Sequence, residues 1–271
     1  MNLSQIKLIA TDMDGTLLNS NHEVSKLFFE LFEEIKKHNI LFVAASGRPY
    51  YSIVEKLSAI KDDIIVVAEN GGIVAKQDTL LLSTPIKKDN LSKVESIVDS
   101  NHHIHPVFCT KLKAYFKSAS NGHIKLLSEY YPTFTVIDSI DDIEEEIIKI
   151  ALYHDQDSEQ YIYPLVKELE SDYKLKISGK NWLDISDDLA NKGHALEMLQ
   201  NMYHISKEET LVFGDYNNDL EMLKLASYSF AMENAHPNVK EIANFETKSN
   251  DEFGVEMILK QLIEAKNNLL S

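Results

Sequence analysis

Leu8-Ile9-Ala10-Thr11-Asp12-Met13-Asp14-Gly15-Thr16-Leu17-Leu18 carries a short apolar run into two acids and a glycine. A run with no polar alternation fits a strand buried on both faces, and such strands belong to parallel sheets covered by helices. Open α/β sheets gather their sites at the carboxyl ends of the strands, where Asp12 and Asp14 fall. Two carboxylates two positions apart reach one point when the backbone turns between them, and Gly15 permits that turn. Crowded acids favour a cation. An all-oxygen donor set suits Mg²⁺, which binds through few carboxylates and keeps waters or a substrate phosphate. On these residues alone an ordinary N-cap Asp is the favoured reading.

Outward from this stretch the pattern repeats. Val24 to His38 places Leu27, Phe28, Leu31, Phe32 and Ile35 at helical spacing. Ile40 to Ala45 is a second apolar run, a helix follows from about Tyr50 to Ser58, and Ile64 to Ala68 is a third run. Ile73 to Ala75 and Thr79 to Leu82 read as a hairpin around Lys76-Gln77-Asp78. After Thr84-Pro85 the texture changes to short paired strands, Val107-Phe108-Cys109 with Ala114-Tyr115-Phe116, then Ile147 to Tyr153, Tyr173 to Ile177 and Trp182 to Ile185. Helical patterns between them predict an antiparallel sheet with helices on one face. From Lys192 the first texture returns, with a helix over 192–203 and strands at Leu211 to Phe213 and Tyr228 to Ala231. The fold class is therefore α/β: a Rossmann-like parallel-sheet core from residues 1–83 and 191–271, carrying an inserted α+β cap domain at 84–190.

Three further motifs fall on this frame. Ser46-Gly47-Arg48 closes the second strand, where a hydroxyl and free N–H groups at a helix start can hold an anion. A Ser cap followed by Pro49 is the plainer reading. Lys192 opens the helix where the core resumes and could supply fixed positive charge to a phosphoryl group, although a lone lysine is most often solvated. Gly214-Asp215-Tyr216-Asn217-Asn218-Asp219 follows another apolar strand. Asp215 can join Asp12 and Asp14 on the metal, and Asn218 and Asp219 lie about one turn further along the same rim.

In this order, with three of the four at strand ends, the motifs resemble those of the haloacid dehalogenase-like superfamily. Asp12 to Thr16, Ser46, Lys192 and Gly214 to Asp219 match its four signatures. Thr11 to Leu18, Ser46 to Pro49 and Glu69-Asn70-Gly71-Gly72 look like its Cof-type subfamily, with Gly72 where alanine is more usual. The insert matches that subfamily's large cap. The resemblance implies a Mg²⁺-dependent phosphatase of a small phosphorylated metabolite, such as a sugar phosphate or flavin-pathway phosphomonoester. It implies that Asp12 is the nucleophile forming an aspartyl-phosphate, and that Asp14 is the acid and base. The metal would lie between the Asp12 carboxylate, the Asp14 main-chain carbonyl and Asp215. Ser46, the Gly47 N–H, Lys192 and Asn218 would bind the phosphoryl oxygens, and Asp219 would orient Lys192 or a metal water. A phosphotransferase or mutase using the same intermediate, and a non-catalytic phospho-metabolite binding protein, are the alternatives.

Composition bounds the rest. The chain has 271 residues, 44% apolar and 26% charged, with formal net charge −16, which disfavours nucleic acid and anionic membranes as partners. The single cysteine, Cys109, excludes an intrachain disulfide and reads as a small buried hydrophobe. The start shows no basic region followed by an apolar run, so a cytoplasmic monomer or homodimer is expected. His102-His103-Ile104-His105 reads as surface histidines near a strand rather than a metal cluster, and its role stays open. Tyr130, Tyr131 and Trp182 are expected in the cap core, and the acids Asp141 to Glu146 in a solvated segment.

Overall fold

Every residue of β1 (Leu8–Asp12) is buried, as an apolar run flanked by helices requires. In the computed structural model, which describes residues 2–117 and 121–268, β1 is followed by α1 (Lys26–Lys37), β2 (Leu41–Ala45), α2 (Tyr50–Lys56), β3 (Ile65–Ala68), β4 (Ile73–Lys76) and β5 (Thr79–Ser83). Next come α3 (Lys88–Asp99), β6 (Ile104–Cys109), β7 (Ala114–Lys117), α4 (Asn121–Tyr130), β8 (Phe134–Ile137), β9 (Lys149–His154), α5 (Ser158–Tyr161), α6 (Tyr163–Val166), β10 (Lys174–Gly179) and β11 (Trp182–Ser186). The chain ends with α7 (Lys192–Tyr203), β12 (Thr210–Gly214), α8 (Leu220–Leu223), β13 (Tyr228–Ala231), α9 (Pro237–Ile242), β14 (Phe245–Glu246) and α10 (Gly254–Asn267). Two units result: Met1–Arg48 with Ser52–Leu82 and Asn191–Ser271, and Pro49–Tyr51 with Ser83–Ala190.

The first unit is built on one sheet, in the order β14-β13-β12-β1-β2-β3-β4-β5. The pairs from β14 to β3 are parallel, and β4 turns back antiparallel on β3. The helices that cover it are specified locally. Ser25 accepts the Phe28 N–H at 2.9 Å to start α1, and Lys36 and Lys37 occupy its last turn, where cations suit the helix dipole. Phe28 and Phe32 then pack on Phe42 of β2, with ring centroids 5.3 and 5.6 Å apart. The short strand β14 lies between α9 and α10 at the edge of the sheet. This order sets β12, β1 and β2 side by side, so Asp215, Asp12 and Ser46 emerge together at neighbouring carboxyl ends.

The second unit has a sheet ordered β10-β11-β9-β6-β7-β8. Val107, Phe108 and Cys109 lie opposite Phe116, Tyr115 and Ala114, as the sequence predicts. Two features correct the sequence reading. Phe134 to Ile137, placed within a helical pattern, forms β8 and pairs parallel to β7, which requires a crossover, supplied by α4. The sheet is also apolar on both faces. Ile104, Phe108, Ile150 and Leu152 join a layer with Val94 and Val166 of α3 and α6. Val107, Phe116, Ala151 and Tyr153 join another with Leu127 of α4, so helices cover both faces rather than one. Cys109 and Tyr131 are buried in that second layer and Trp182 packs against it, whereas Tyr130 is largely exposed.

Candidate active site

Asp12 ends β1 and is 5% exposed. One carboxylate oxygen, Oδ1, accepts from the Lys192 ammonium; the other, Oδ2, is buried without a hydrogen-bond partner. Lys192 owes its place to Asn191, whose side chain accepts the His194 N–H at 2.7 Å and starts α7 there. Its side chain is fully buried and donates a second hydrogen bond, 2.7 Å long, to Asp219 Oδ1. Asp219 Oδ2 accepts the main-chain N–H groups of Asp215 and Tyr216, each at 3.0 Å. Both Asp219 oxygens are thus engaged in holding Lys192 and the Asp215 turn. Asp215 accepts from the Thr16 hydroxyl at 3.2 Å. Gly15 has φ +77°, and any side chain there would run into the Asp215 carboxylate.

The electrostatics are unbalanced. Burial pushes the Asp12 carboxyl well above its ordinary range, the charges of Asp219 and Asp215 push the same way, and Lys192 only partly opposes them. Asp215 is raised to about 6, by burial first and by Asp219 second. For Lys192 burial favours the neutral amine, but Asp12 and Asp219 outweigh it and hold the ammonium protonated. Oxygen atoms of Asp12, Asp215 and Asp219 all lie within 4.8 Å of one another, with one buried ammonium among them. An orphaned carboxylate oxygen, hard oxygen donors and excess negative charge fit a divalent cation such as Mg²⁺.

The Asp14 carboxylate is not part of this cluster. Arg48 grips it with two hydrogen bonds, Nε to Oδ2 at 2.7 Å and Nη2 to Oδ1 at 2.6 Å, and His22 Nδ1 stands 3.3 Å from Oδ1. Burial works to raise the Asp14 pKa, yet the bond and charge of Arg48, aided by His22, hold it below the usual value. Ser46, 2% exposed, accepts the Arg48 N–H at 3.1 Å, and its carbonyl accepts the Asn70 N–H at 2.9 Å. A side chain on Gly47 would press on the Asn70 carboxamide, 3.0 Å away. Asn218 donates to Asn70 Oδ1 at 2.9 Å. Asn70 therefore links Gly47 to Asn218, and Glu69 and Asn70 adopt consecutive left-handed conformations, φ +50° and +57°, to place it.

A family model of haloacid dehalogenase-like hydrolases matches residues 9–259. The chain belongs to the haloacid dehalogenase-like hydrolases. It is 30% identical over 262 residues to the 5-amino-6-(5-phospho-D-ribitylamino)uracil phosphatase YbjI of Escherichia coli strain K12, covering 96% of this chain and 97% of that one. It is 28% identical to the YwtE phosphatase of Bacillus subtilis strain 168, whose name carries the same substrate, covering 96% and 99%. Among solved structures, TM0651 from Thermotoga maritima superposes with a TM-score of 0.86 at 26% identity, covering 94% and 97%.

Within this hydrolase family member the eight residues singled out by sequence fall into three sets. Asp12, Asp215, Asp219 and Lys192 form one buried charge cluster. Ser46, Gly47 and Asn218 gather around Asn70, and the Asp14 carboxylate joins Arg48. Sequence reasoning did not single out Arg48, Asn70 or His22 for the site. The signal for Arg48 lay in Ser46 to Pro49 and that for Asn70 in Glu69 to Gly72. His22 carried none, because it reaches Asp14 from the loop before α1.

Proposed function

We propose that this phosphatase hydrolyses a small phosphomonoester, of the sugar-phosphate or flavin-pathway type, through a phosphorylated Asp12. The unpartnered Asp12 Oδ2 at the end of β1, backed by Lys192, is the observation that carries the reading. An Asp12 oxygen attacks phosphorus as the bond to the leaving oxygen breaks, which divides one hard displacement into two easier ones. Asp14 gives its proton to that leaving oxygen. It then takes one from the water that attacks the aspartyl-phosphate, releasing phosphate and restoring Asp12. Lys192, kept protonated by its two carboxylates, meets the charge that develops on the phosphoryl oxygens. Ser46, the Gly47 N–H and Asn218 bind the remaining oxygens, and Asp219 holds Lys192 in place. Asp12, Asp215 and the Asp14 carbonyl would hold Mg²⁺, which offsets repulsion between an anionic nucleophile and an anionic substrate.

Arg48 bears on the Asp14 steps. Its forked grip favours the ionised carboxylate, the form needed as base, so protonation for the first step requires that grip to loosen. The unit built on Ser83–Ala190 is read as the selector among substrates, since none of the residues assigned to catalysis, metal or phosphate lies in it.

Phosphate release from a panel of metabolite phosphates, with water as sole acceptor, tests the reaction class. An alcohol acceptor that takes the phosphoryl group instead would favour the phosphotransferase reading. Asp12→Asn should reduce turnover by at least about 10⁴-fold, the scale of losing a nucleophile. Mass analysis of acid-quenched protein should find the added phosphoryl group on wild type and not on that variant. Turnover of the variant within tenfold of wild type rules out the covalent route.

A further inference from the structure

Five of the chain's ten histidines fall between residues 102 and 154, in the second unit, and the proposed phosphatase chemistry uses none of them. Two meet an acid. His105 lies on β6 opposite Tyr153 of β9, so Asp155, two residues beyond Tyr153, points to the same face of the sheet. That face is the one α4 covers, and His123 sits in the first turn of α4. The His105 and His123 rings stack with centroids 3.6 Å apart, and His123 Nε2 is 3.5 Å from Asp155 Oδ2. Ligand atoms of all three side chains lie within 4.8 Å of one another.

Stacked this closely, the two rings do not both aim a nitrogen at one point, so sharing an ion requires one ring to turn edge-on; one atom is left over. His105 Nε2 is buried and has no hydrogen-bond partner. An unmet buried nitrogen costs about 1–3 kcal/mol, so it calls for an occupant. A neutral imidazole is the form that binds a metal. We propose that His105, His123 and Asp155 form a second metal site, which takes a borderline transition ion of the Zn²⁺ class and is separate from the carboxylate cluster. Two nitrogens and one carboxylate suit such an ion and not Mg²⁺. Tetrahedral donors about 2.0–2.1 Å from Zn²⁺ stand roughly 3.4 Å apart, close to the His123–Asp155 separation. Asp155 is half exposed, which leaves the fourth position to water. The three ligands come from β6, the start of α4 and the end of β9, so the ion would pin α4 to the sheet.

The test uses the whole protein, stripped with a chelator and then held in excess Mg²⁺ so that the carboxylate cluster is occupied. Co²⁺ is titrated in as an absorbing stand-in for Zn²⁺. The expected result is one equivalent taken up with the visible bands of a four-coordinate nitrogen and oxygen site, together with a higher Tm. Asp12→Asn should leave this signal intact. His123→Gln and Asp155→Asn should each weaken uptake by at least about 10–100-fold, the range for losing a group that only orients a metal's ligand. Asp155 is exposed, so its variant keeps the test valid should a histidine variant fail to fold. No uptake by wild type, loss of the signal in Asp12→Asn, or equal affinity in folded Asp155→Asn would each overturn the proposal.

Discussion

Arg48 controls the charge of Asp14, the acid and base of the proposed mechanism. Without it, burial alone acts on Asp14 beside the weaker help of His22, so the Asp14 pKa rises. Arg48→Ala should therefore move the Asp14-dependent limb of the pH–rate profile to higher pH, because the forked charged pair that favours the ionised carboxylate is lost. The profile of single-turnover phosphorylation checks this, and a limb that stays in place refutes the control. At this scale the sequence was legible wherever a motif fixed residue type and spacing together. Asp12, Asp215, Asp219 and Lys192 do converge, although Lys192 by itself read as a solvated side chain. Arg48 and Asn70 were quoted in motifs without a role, because only the fold brings them to Asp14 and Asn218. His105 read as a surface histidine for the same reason: His123 and Asp155 are distant in sequence, and no local spacing announces them.

At the scale of elements, the turn after β1 and the turn after β12 depend on each other. Gly15→Ala forces a side chain into the left-handed region and against Asp215. It should cost about 1–3 kcal/mol in urea unfolding, the range for a strained backbone position, and should weaken Mg²⁺ binding by displacing Asp215. Unchanged stability together with unchanged Mg²⁺ affinity would show that the two turns are independent. The same two strand ends set a pH dependence. Asp215 has a folded pKa of about 6, above its unfolded value, so its protonated form is favoured by folding. In metal-free protein that contribution is present below the unfolded pKa and is lost as pH rises through about 6. Mg²⁺ needs the ionised forms of Asp215 and of Asp12, whose carboxyl burial also raises, so its apparent affinity should fall by at least about tenfold per unit as pH drops below about 6. Calorimetric titrations at several pH values read this directly, and a flat affinity down to about pH 5 would contradict it. Strands with unbroken apolar runs, such as β1, β2 and β12, were legible because their burial on both faces leaves no alternation to misread. β8 was not. Four residues ending at Ile137 carry too little pattern to separate a strand from a helical segment, and its parallel partner is supplied by the fold.

At the scale of the molecule, the residues proposed for the chemistry all belong to the first unit. Each unit closes its own apolar core: the insert has a layer on each face of its sheet, and the first unit is organised around β1 and its parallel neighbours. A unit with its own core can be removed without taking the other's core with it. Replacing residues 86–188 by a short Gly/Ser linker should therefore leave a folded first unit that retains Asp12, Asp14, Ser46, Lys192 and Asp215. Small activated esters need little orientation, so they should still be hydrolysed slowly. Metabolite phosphates rely on contacts away from phosphorus to hold the reacting atoms in line, and losing such contacts costs rate rather than chemistry. The ratios of kcat/KM across a phosphate panel should accordingly flatten toward one. The measurement is made on truncated protein whose circular dichroism and cooperative unfolding report a folded state. Full retention of the wild-type ratios would assign selectivity to the first unit. A truncated chain that does not fold would show that the first unit's stability depends on the insert after all.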